Sequence, residues 1–302
     1  MKILQINVVY KKGSTGKIVD DLHTSLIEDG HQSYVYYGRG KRSSEKNVVK
    51  IAPEIIMKLQ SLRSRITGYA YSGCFFSTRK LIRMILECQP DVVHLQCMNG
   101  FFVNIYKLLD FLKRQNIPTT LTLHAEFMYT AGCGHAFDCE KWKTGCFNCP
   151  QLNQGRPKSW FFDRSAQDWK MMKDAFENFN NLMICPVSGW LENRAKQSPF
   201  LKDKLFQVVE NGLDSTLFHY YSNNELRKKL SLKKDVKVIL HVTPDFNSPI
   251  KGGQYVIELA NRVKNQKNLV IVIVGLKNTL ALPENCIAIE HTNDQKELAK
   301  YY

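Results

Sequence analysis

Four cysteines, Cys133, Cys139, Cys146 and Cys149, fall within seventeen residues of the stretch "AGCGHAFDCEKWKTGCFNCPQL". Their spacing, C-x5-C-x6-C-x2-C, ends in the two-residue interval of a metal knuckle, and four thiolates complete a closed tetrahedral zinc shell. His135 is placed to substitute for one of them. Two disulfides, or a redox-active Cys146/Cys149 pair, are the other arrangements these residues allow. Elsewhere, His124 closes the run "TLTLHA" and His94 lies near the end of "DVVHLQ". A histidine at the carboxyl end of a strand can hydrogen-bond a substrate hydroxyl or a developing charge, and it can equally be a satisfied structural residue. Gly13, Ser14, Thr15 and Gly16 form a glycine-rich loop whose backbone N–H groups suit an anion or a closely approaching sugar. The pattern is not G-x-G-x-x-G, and no acidic residue stands where a ribose would need one, which argues against a nicotinamide cofactor. Lys251, just before Gly252 and Gly253, sits at the start of a helical pattern, where charge and helix dipole together suit a diphosphate. Glu210, Asn211, Gly212 and Asp214 make a polar turn in which Asp214 can also serve as a helix N-cap.

The elements that must position these residues read as alternating strands and helices. Lys2 to Val8 is a strand, followed by the glycine loop and a helix through Val19, Leu22, Leu26 and Ile27. "SYVYYG", "PDVVHLQ", "TTLTLHA" and "LMICPVS" are further strands, and "FFVNIYKLLDFLKR" is an amphipathic helix. A second series follows, with strands "VKVILHVT", "NLVIVIVG" and "ENCIAIEH", helix "GGQYVIELANRVKN", and the opening of another helix in "DQKELAKYY". This order predicts an α/β protein with parallel sheets covered on both faces, in two Rossmann-like domains facing one another across a cleft. The boundary is expected between Lys202 and Glu210, dividing residues 1–205 from 206–302. The connection from Phe127 to Lys158 has no periodicity, and loops of that length are functional or separately stabilised.

The 302 residues carry 44% hydrophobic and 23% charged side chains, a globular balance, with a net charge of +14 that favours acidic partners. The stretch 55–85 combines Lys58, Arg63, Arg65, Arg79, Lys80 and Arg83 with Ile55, Ile56, Leu59, Leu62, Phe75, Phe76 and Leu81. It fits a helix pair lying on anionic lipid, and equally a helix pair turning its apolar residues to the core. The first ten residues lack the long apolar run and cleavage site of a signal peptide, and no run of eighteen apolar residues predicts a membrane-spanning helix. A reducing, cytoplasmic setting is therefore expected, in which clustered cysteines favour metal over disulfides.

In order and spacing, "GSTGKI", "DVVHLQ", "TLHAEF", "FDCEKWKTGCFNCPQL", "PVSGWL", "VVENGLDSTLF" and "IKGG" resemble the GT4-type glycosyltransferases of the GT-B fold, in the branch found in bacterial polysaccharide and colanic-acid-type biosynthesis clusters. The resemblance covers essentially the whole chain. It implies a retaining transfer of a sugar from a nucleotide-diphosphate donor to a hydroxyl of a glycan or lipid-diphosphate-linked acceptor, with peripheral attachment at the inner face of a membrane. It further implies that Gly13 to Gly16 lie against the donor phosphate and acceptor, and that His124 faces the transferred sugar. Ser188 would end a strand at the domain junction, Glu210, Asn211, Gly212 and Asp214 would line the cleft, and Lys251 would meet the diphosphate. Ile250 stands where the family often has an arginine. No D-x-D motif occurs, so no catalytic divalent metal is expected. No nucleic-acid-binding motif is recognised, so no nucleic acid partner is expected. Zinc at the four cysteines is expected to brace one wall of the cleft. The family's acidic E-x7-E segment does not appear before Tyr302, which predicts a truncated enzyme with a complete acceptor-side domain and a partial donor-side domain. The alternative is an inactive or non-enzymatic, zinc-stapled basic α/β binding protein.

Overall fold

The computed structural model describes residues 1–154, 156–220, 224–276, 282–292 and 294–302. It comprises two compact units, Met1–Asn211 and Gly212–Tyr302, each described here by itself.

The first unit runs β1 (Lys2–Val9), α1 (Gly13–Glu28), β2 (Gln32–Arg39), β3 (Val48–Lys50), α2 (Glu54–Thr67), α3 (Phe75–Cys88), β4 (Val92–Leu95), α4 (Ile105–Arg114), β5 (Thr119–Leu123), α5 (Ser165–Phe176), β6 (Leu182–Pro186), α6 (Gly189–Ala195) and β7 (Leu205–Phe206). Among the described residues, seven strands form one parallel sheet in the order β3-β2-β1-β4-β5-β6-β7. The chain builds outward from β1 to β3, then returns to place β4 on the other side of β1. Open α/β sheets take ligands beside such a reversal of strand order. The unit ends later than the expected residue 205, because Leu205–Phe206 add to the sheet edge. The chain then stays bonded to β6 through Gln207 N to the Ile184 carbonyl and Val209 N to the Pro186 carbonyl, both at 3.0 Å.

Strand alternation splits the sheet into two chemically different faces. Leu4, Ile6, Val93, Leu95, Leu121, Leu123 and Ile184 are buried in the main core with Leu81 and Ile85 of α3 and Leu108, Leu109 and Leu112 of α4. Helix α4 begins at Ile105 because Asn104 caps it, its side chain accepting from Lys107 N at 3.1 Å. The residues that alternate with them in the strands are polar, Gln5, Asn7, His94 and Thr122, and Gln96 directly after β4 continues the pattern. Gln5, Asn7 and Gln96 are fully buried, so each needs a partner. Asn7 joins the ends of β1 and β4 by donating to the Val9 carbonyl at 2.7 Å and accepting from Cys97 N at 2.9 Å.

Helices α2 and α3 turn part of the apolar set of residues 55–85 inward and part outward. Leu81 and Met57 are buried, but Ile55 (60% exposed), Leu59 (52%), Leu62, Ile66 and Phe76 (83%) face outward. Lys58, Arg63, Arg65, Arg79, Lys80 and Arg83 are exposed with them. Trp160, Phe161 and Phe162 extend this surface, held at the end of α2 by the bond from Trp160 N to the Arg65 carbonyl at 2.7 Å. Gly68 ends α2 with φ 78°, and a Cβ there would lie 2.2 Å from the Phe162 carbonyl oxygen, so the contact requires glycine. Among the described residues no helix is long and apolar enough to cross a membrane.

The second unit contains α7 (Asn224–Lys229), β8 (Lys237–Val242), α8 (Gly253–Arg262), β9 (Leu269–Val274), β10 (Cys286–Ile289) and α9 (Gln295–Ala299). Its parallel strands take the order β10-β9-β8. Phe246, Ala260, Ile271, Ile273 and Leu276 form its core. The Asp294 side chain caps α9, accepting from Lys296 N at 2.8 Å.

His94 lies inside β4, one residue short of its end, with Nε2 2.7 Å from Thr122 Oγ1. Burial first, and the neighbouring His124 second, push its pKa down to about 4. The folded state therefore holds it neutral, while the unfolded chain protonates it near its ordinary value of about 6.5. Its contribution to stability is fully present above about pH 6.5 and is lost as pH falls from there toward 4. Urea unfolding at about pH 7.5 and about pH 5 is expected to show a drop of about 2 kcal/mol that His94→Gln removes. Equal pH dependence in the two proteins would contradict this reading.

Candidate functional site

The expected glycine loop is the first turn of a helix. Lys12 is extended, Gly13 takes φ 64°, and α1 starts at Gly13 itself. The turn doubles back on the end of β1. Lys11 N donates to the Gly16 carbonyl at 3.0 Å, and a Cβ on Gly16 would lie 3.1 Å from Val9 Cγ2 and 3.3 Å from Lys11 N. Close approach thus accounts for Gly16. No side chain caps the helix and no acidic residue lies in its first turn, so its positive end is uncompensated. It opens on a cavity of about 470 Å³ lined by Lys12, Gly13, Ser14, Thr15, Arg39 and Glu54 among others. Arg39 is oriented by its bond from Nε to the Gly100 carbonyl at 2.9 Å. Glu54, the acid of this group, is occupied by Gly40 N at 2.7 Å and Lys50 Nζ at 3.0 Å. A second cavity of about 760 Å³ shares Lys12, Gly40 and Glu54 and adds Lys41 and Arg42. The chemistry on offer is a polar, net-basic recess at a helix N-terminus, suited to a phosphate-bearing ligand.

His124 follows β5 and belongs to a chain of buried amides that reaches α1. Gln5 Nε2 donates to the Val19 carbonyl at 3.3 Å, Gln96 Nε2 donates to Gln5 Oε1 at 2.8 Å, and His124 Nε2 lies 3.4 Å from Gln96 Oε1. A carbonyl only accepts, so Val19 fixes the orientation of Gln5, which fixes Gln96, which leaves its oxygen toward the ring. His124 Nε2 therefore carries the proton and Nδ1 is the acceptor. Burial lowers the pKa of the ring, favouring this neutral form. The sequence signal for the chain was Gln5 inside an otherwise apolar first strand; Gln96 carried none.

The remaining candidates are dispersed. Ser188 does not end a strand: it is the N-cap of α6, accepting from Leu191 N at 3.3 Å. Glu210, Asn211 and Gly212 are exposed, irregular chain where the two units divide. Asp214 organises a turn, not a helix, with Oδ1 accepting from Thr216 N at 2.9 Å and Thr216 Oγ1 at 2.6 Å. Lys251 is exposed and ends the 3-10 turn Pro249–Lys251, directly before Gly252 (φ 75°) and α8. Gly253 is required there, since a Cβ would lie 2.2 Å from the Phe246 carbonyl oxygen.

The cysteine-rich segment is not an unsupported loop. Phe127, Met128, Tyr129, Ala131, Cys133, Ala136 and Trp142 are buried. Two buried carboxylates anchor it. Glu126 accepts from Ala136 N at 2.6 Å, Tyr129 Oη at 2.8 Å and Arg194 Nε of α6 at 2.8 Å. Asp168 of α5 pairs with Arg156 and also accepts from Ala70 N at 3.0 Å and Tyr106 Oη at 3.4 Å. Neither carboxylate stood out in the sequence, because Arg194 for Glu126, and Ala70 and Tyr106 for Asp168, lie on remote elements. Cys133, Cys139, Cys146 and Cys149 line one small cavity and are free thiols. His135 is exposed, near Phe137 and outside this cavity, so the substitution suggested by its position is not supported. Among the described residues no three His, Cys, Asp or Glu side chains already form a metal-binding group.

With this geometry in hand, known proteins give a consistent match. Residues 15–180 match the family model described as Glycosyltransferase Family 4. A protein of Escherichia coli (strain K12) that carries the name colanic acid biosynthesis glycosyl transferase WcaC is 28% identical over 180 residues, covering 55% of this chain and 43% of that protein. The chain thus spans less than half the length of this curated relative. Among solved structures, sucrose-phosphate synthase from Thermosynechococcus elongatus is similar with a TM-score of 0.58 and 12% identity, over 99% of this chain and 72% of that one. WaaG, a glycosyltransferase involved in lipopolysaccharide biosynthesis, is similar with a TM-score of 0.57 and 13% identity, over the same shares. At these identities the likeness is one of fold, the α/β GT-B architecture. The family model covers more than half of the sequence, and the chain belongs to glycosyltransferase family 4.

Proposed function

We propose that the protein transfers a sugar, with retention, from a nucleotide-diphosphate donor to a glycan or lipid-diphosphate-linked acceptor in surface polysaccharide biosynthesis. The observation that carries this reading is the polar, net-basic recess at the carboxyl ends of β1 and β2. The α1 N-terminus there is uncapped and opens, with Lys12 and Arg39, on the recess, while farther along the same rim, after β5, stands a neutral His124 with a defined acceptor nitrogen in a family 4 chain. The first turn of α1, with Lys12 and Arg39, would hold phosphate by backbone N–H groups and charge. His124 Nδ1 would accept a hydrogen bond from a sugar hydroxyl. In the second unit, Lys251 and the N-terminus of α8 would stabilise negative charge on the departing nucleoside diphosphate. Ser188, Glu210, Asn211, Gly212 and Asp214 remain proposed contacts of donor or acceptor. Thermal shifts across a panel of nucleotide sugars are expected to single out at least one stabilising donor. His124→Ala is expected to keep the fold and lower transfer about 100-fold. Absence of any response to nucleoside diphosphates and their sugars, or full transfer by His124→Ala, would overturn the respective assignment.

The acceptor's membrane setting rests on α2 and α3. Ile55, Leu59, Leu62 and Ile66 form an outward stripe at helical spacing, with Phe75 and Phe76 of α3 also exposed. The exposed basic residues of both helices accompany them, and Glu54 and Glu87 are the only acidic residues in the two helices. An apolar stripe flanked by cations complements an anionic bilayer, so this face is proposed to lie on the membrane. Co-sedimentation is expected with vesicles of phosphatidylcholine plus phosphatidylglycerol, weakened by salt and absent with phosphatidylcholine alone. The combined variant Ile55→Ser, Leu59→Ser, Phe76→Ser is expected to fold normally and remain in the supernatant. Equal binding by this variant would place the contact elsewhere.

A further inference from the structure

The cavity lined by Cys133, Cys139, Cys146 and Cys149 measures about 10 Å³, close to the space of a single small guest. The four residues reach it from different parts of the segment. Cys133 and Cys139 flank the turn that Ala136 N ties to Glu126. Cys146 and Cys149 bracket a tight turn in which Asn148 has φ 45°, following Gly145 at φ 154°. Lys141 Nζ closes that turn by donating to the carbonyls of Phe147 at 3.0 Å and Asn148 at 2.8 Å. All four residues border this one cavity together with Ala131, Trp142 and Arg156.

A second observation is independent of the cysteines. Arg156 borders the same cavity, and its side chain is completely buried. Nη2 is used by Asp168 and by the Gly68 carbonyl at 3.3 Å. Nε and Nη1 have no hydrogen-bond acceptor among the described residues; Asp163 Oδ1 is 3.6 Å from Nη1, too far for such a bond. A buried guanidinium with two unspent nitrogens is costly unless negative charge stands beside it.

We propose that Cys133, Cys139, Cys146 and Cys149 bind one structural Zn²⁺ ion, with Arg156 as the outer cation that offsets the charge of the centre. Binding releases four thiol protons to solvent and forms four zinc–sulfur bonds, leaving a doubly negative centre that the unspent edge of Arg156 faces. The sulfurs of a tetrahedral shell with bonds of about 2.3 Å lie about 3.8 Å apart, so binding draws the four thiols that border the cavity together around the ion. The segment is anchored without the ion through Glu126 and Asp168. The zinc therefore fixes the outer part, from Cys139 to Cys149, and takes no part in transfer. This inference stands apart from the proposed function, since it concerns metal content and not sugar transfer.

The test is elemental analysis of protein purified without chelator, with cobalt titration of the metal-free form. About one zinc per chain is expected, and Co²⁺ should give the intense absorption of tetrahedral thiolate coordination. Cys146→Ser should lose both signals, while Cys97→Ser, outside the cluster, should keep them. Arg156→Lys, which retains the charge, should bind zinc, and Arg156→Met should release it to a chelator about 10–100-fold faster. If Arg156→Met does not fold, the cobalt spectrum of the wild type and of Cys146→Ser still decides the question. Reduced protein that takes up neither metal overturns the proposal. So do disulfides among these four cysteines in freshly isolated protein, or iron in place of zinc.

Discussion

A parallel sheet brings every strand's carboxyl end to the same side, and the chemistry of the first unit depends on that constraint. The residues after β1, β4, β5 and β6 are far apart in sequence. The sheet nevertheless delivers Lys12 to Thr15, Gln96 and Cys97, His124 to Glu126, and Ser188 to one rim. The strand order reverses between β1 and β4, the kind of place where open α/β sheets part their flanking connections. The polar residues in β1 and directly after β4 then have a purpose that packing alone would not require. Gln5 and Gln96 transmit the direction of a carbonyl in α1 to the ring of His124. They do so in a dry layer where an unpaired amide would be costly.

The cysteine-rich segment shows how a long irregular connection is tolerated inside such a unit. Its backbone polar groups need partners, and two buried carboxylates supply part of them. Glu126 binds the segment to α6 through Arg194, and Asp168 binds it to α4, to the end of α2 and to Arg156. Removing one partner from a buried pair of this kind costs about 3–5 kcal/mol, because the other charge is left unpaired. Trp142 adds an apolar anchor, with Nε1 donating to the Cys139 carbonyl at 2.8 Å and its ring against Tyr129. The four thiols are thus gathered by contacts that lie mostly outside the cysteines themselves.

Much of the fold was legible in the sequence. β-branched runs marked β1, β4, β5, β6, β8 and β9, and 3.6-residue periodicity marked α1, α4 and α8, because these patterns are local consequences of which face is buried. The cysteine cluster was legible for the same reason, since ligand spacing is a property of the chain. Edges were less clear. β3 and β7 are too short to show a period, and α1 starts inside what read as a loop because Gly13 and Gly16 serve a tight return to β1 and the start of the helix at once.

The tertiary structure alone decided which way the patterns face and which remote groups meet. The stripe on α2 has the spacing of a core helix, and only the assembled unit shows Ile55 and Leu59 turned outward while Met57 is buried. His94 and His124 looked alike as strand-end histidines. The sheet places one beside Thr122 and the other at the end of the amide chain. Ser188 and Asp214 proved to be a helix cap and a turn residue. The partners of Asp168 span Ala70 to Arg156, and no local pattern encodes them. Periodicity records that a side chain is buried or exposed along one element, whereas a hydrogen bond or ion pair between distant elements depends on how the sheet brings them together. For that reason the chain's class and its cysteine motif belong to the sequence, and the arrangement of its site belongs to the fold.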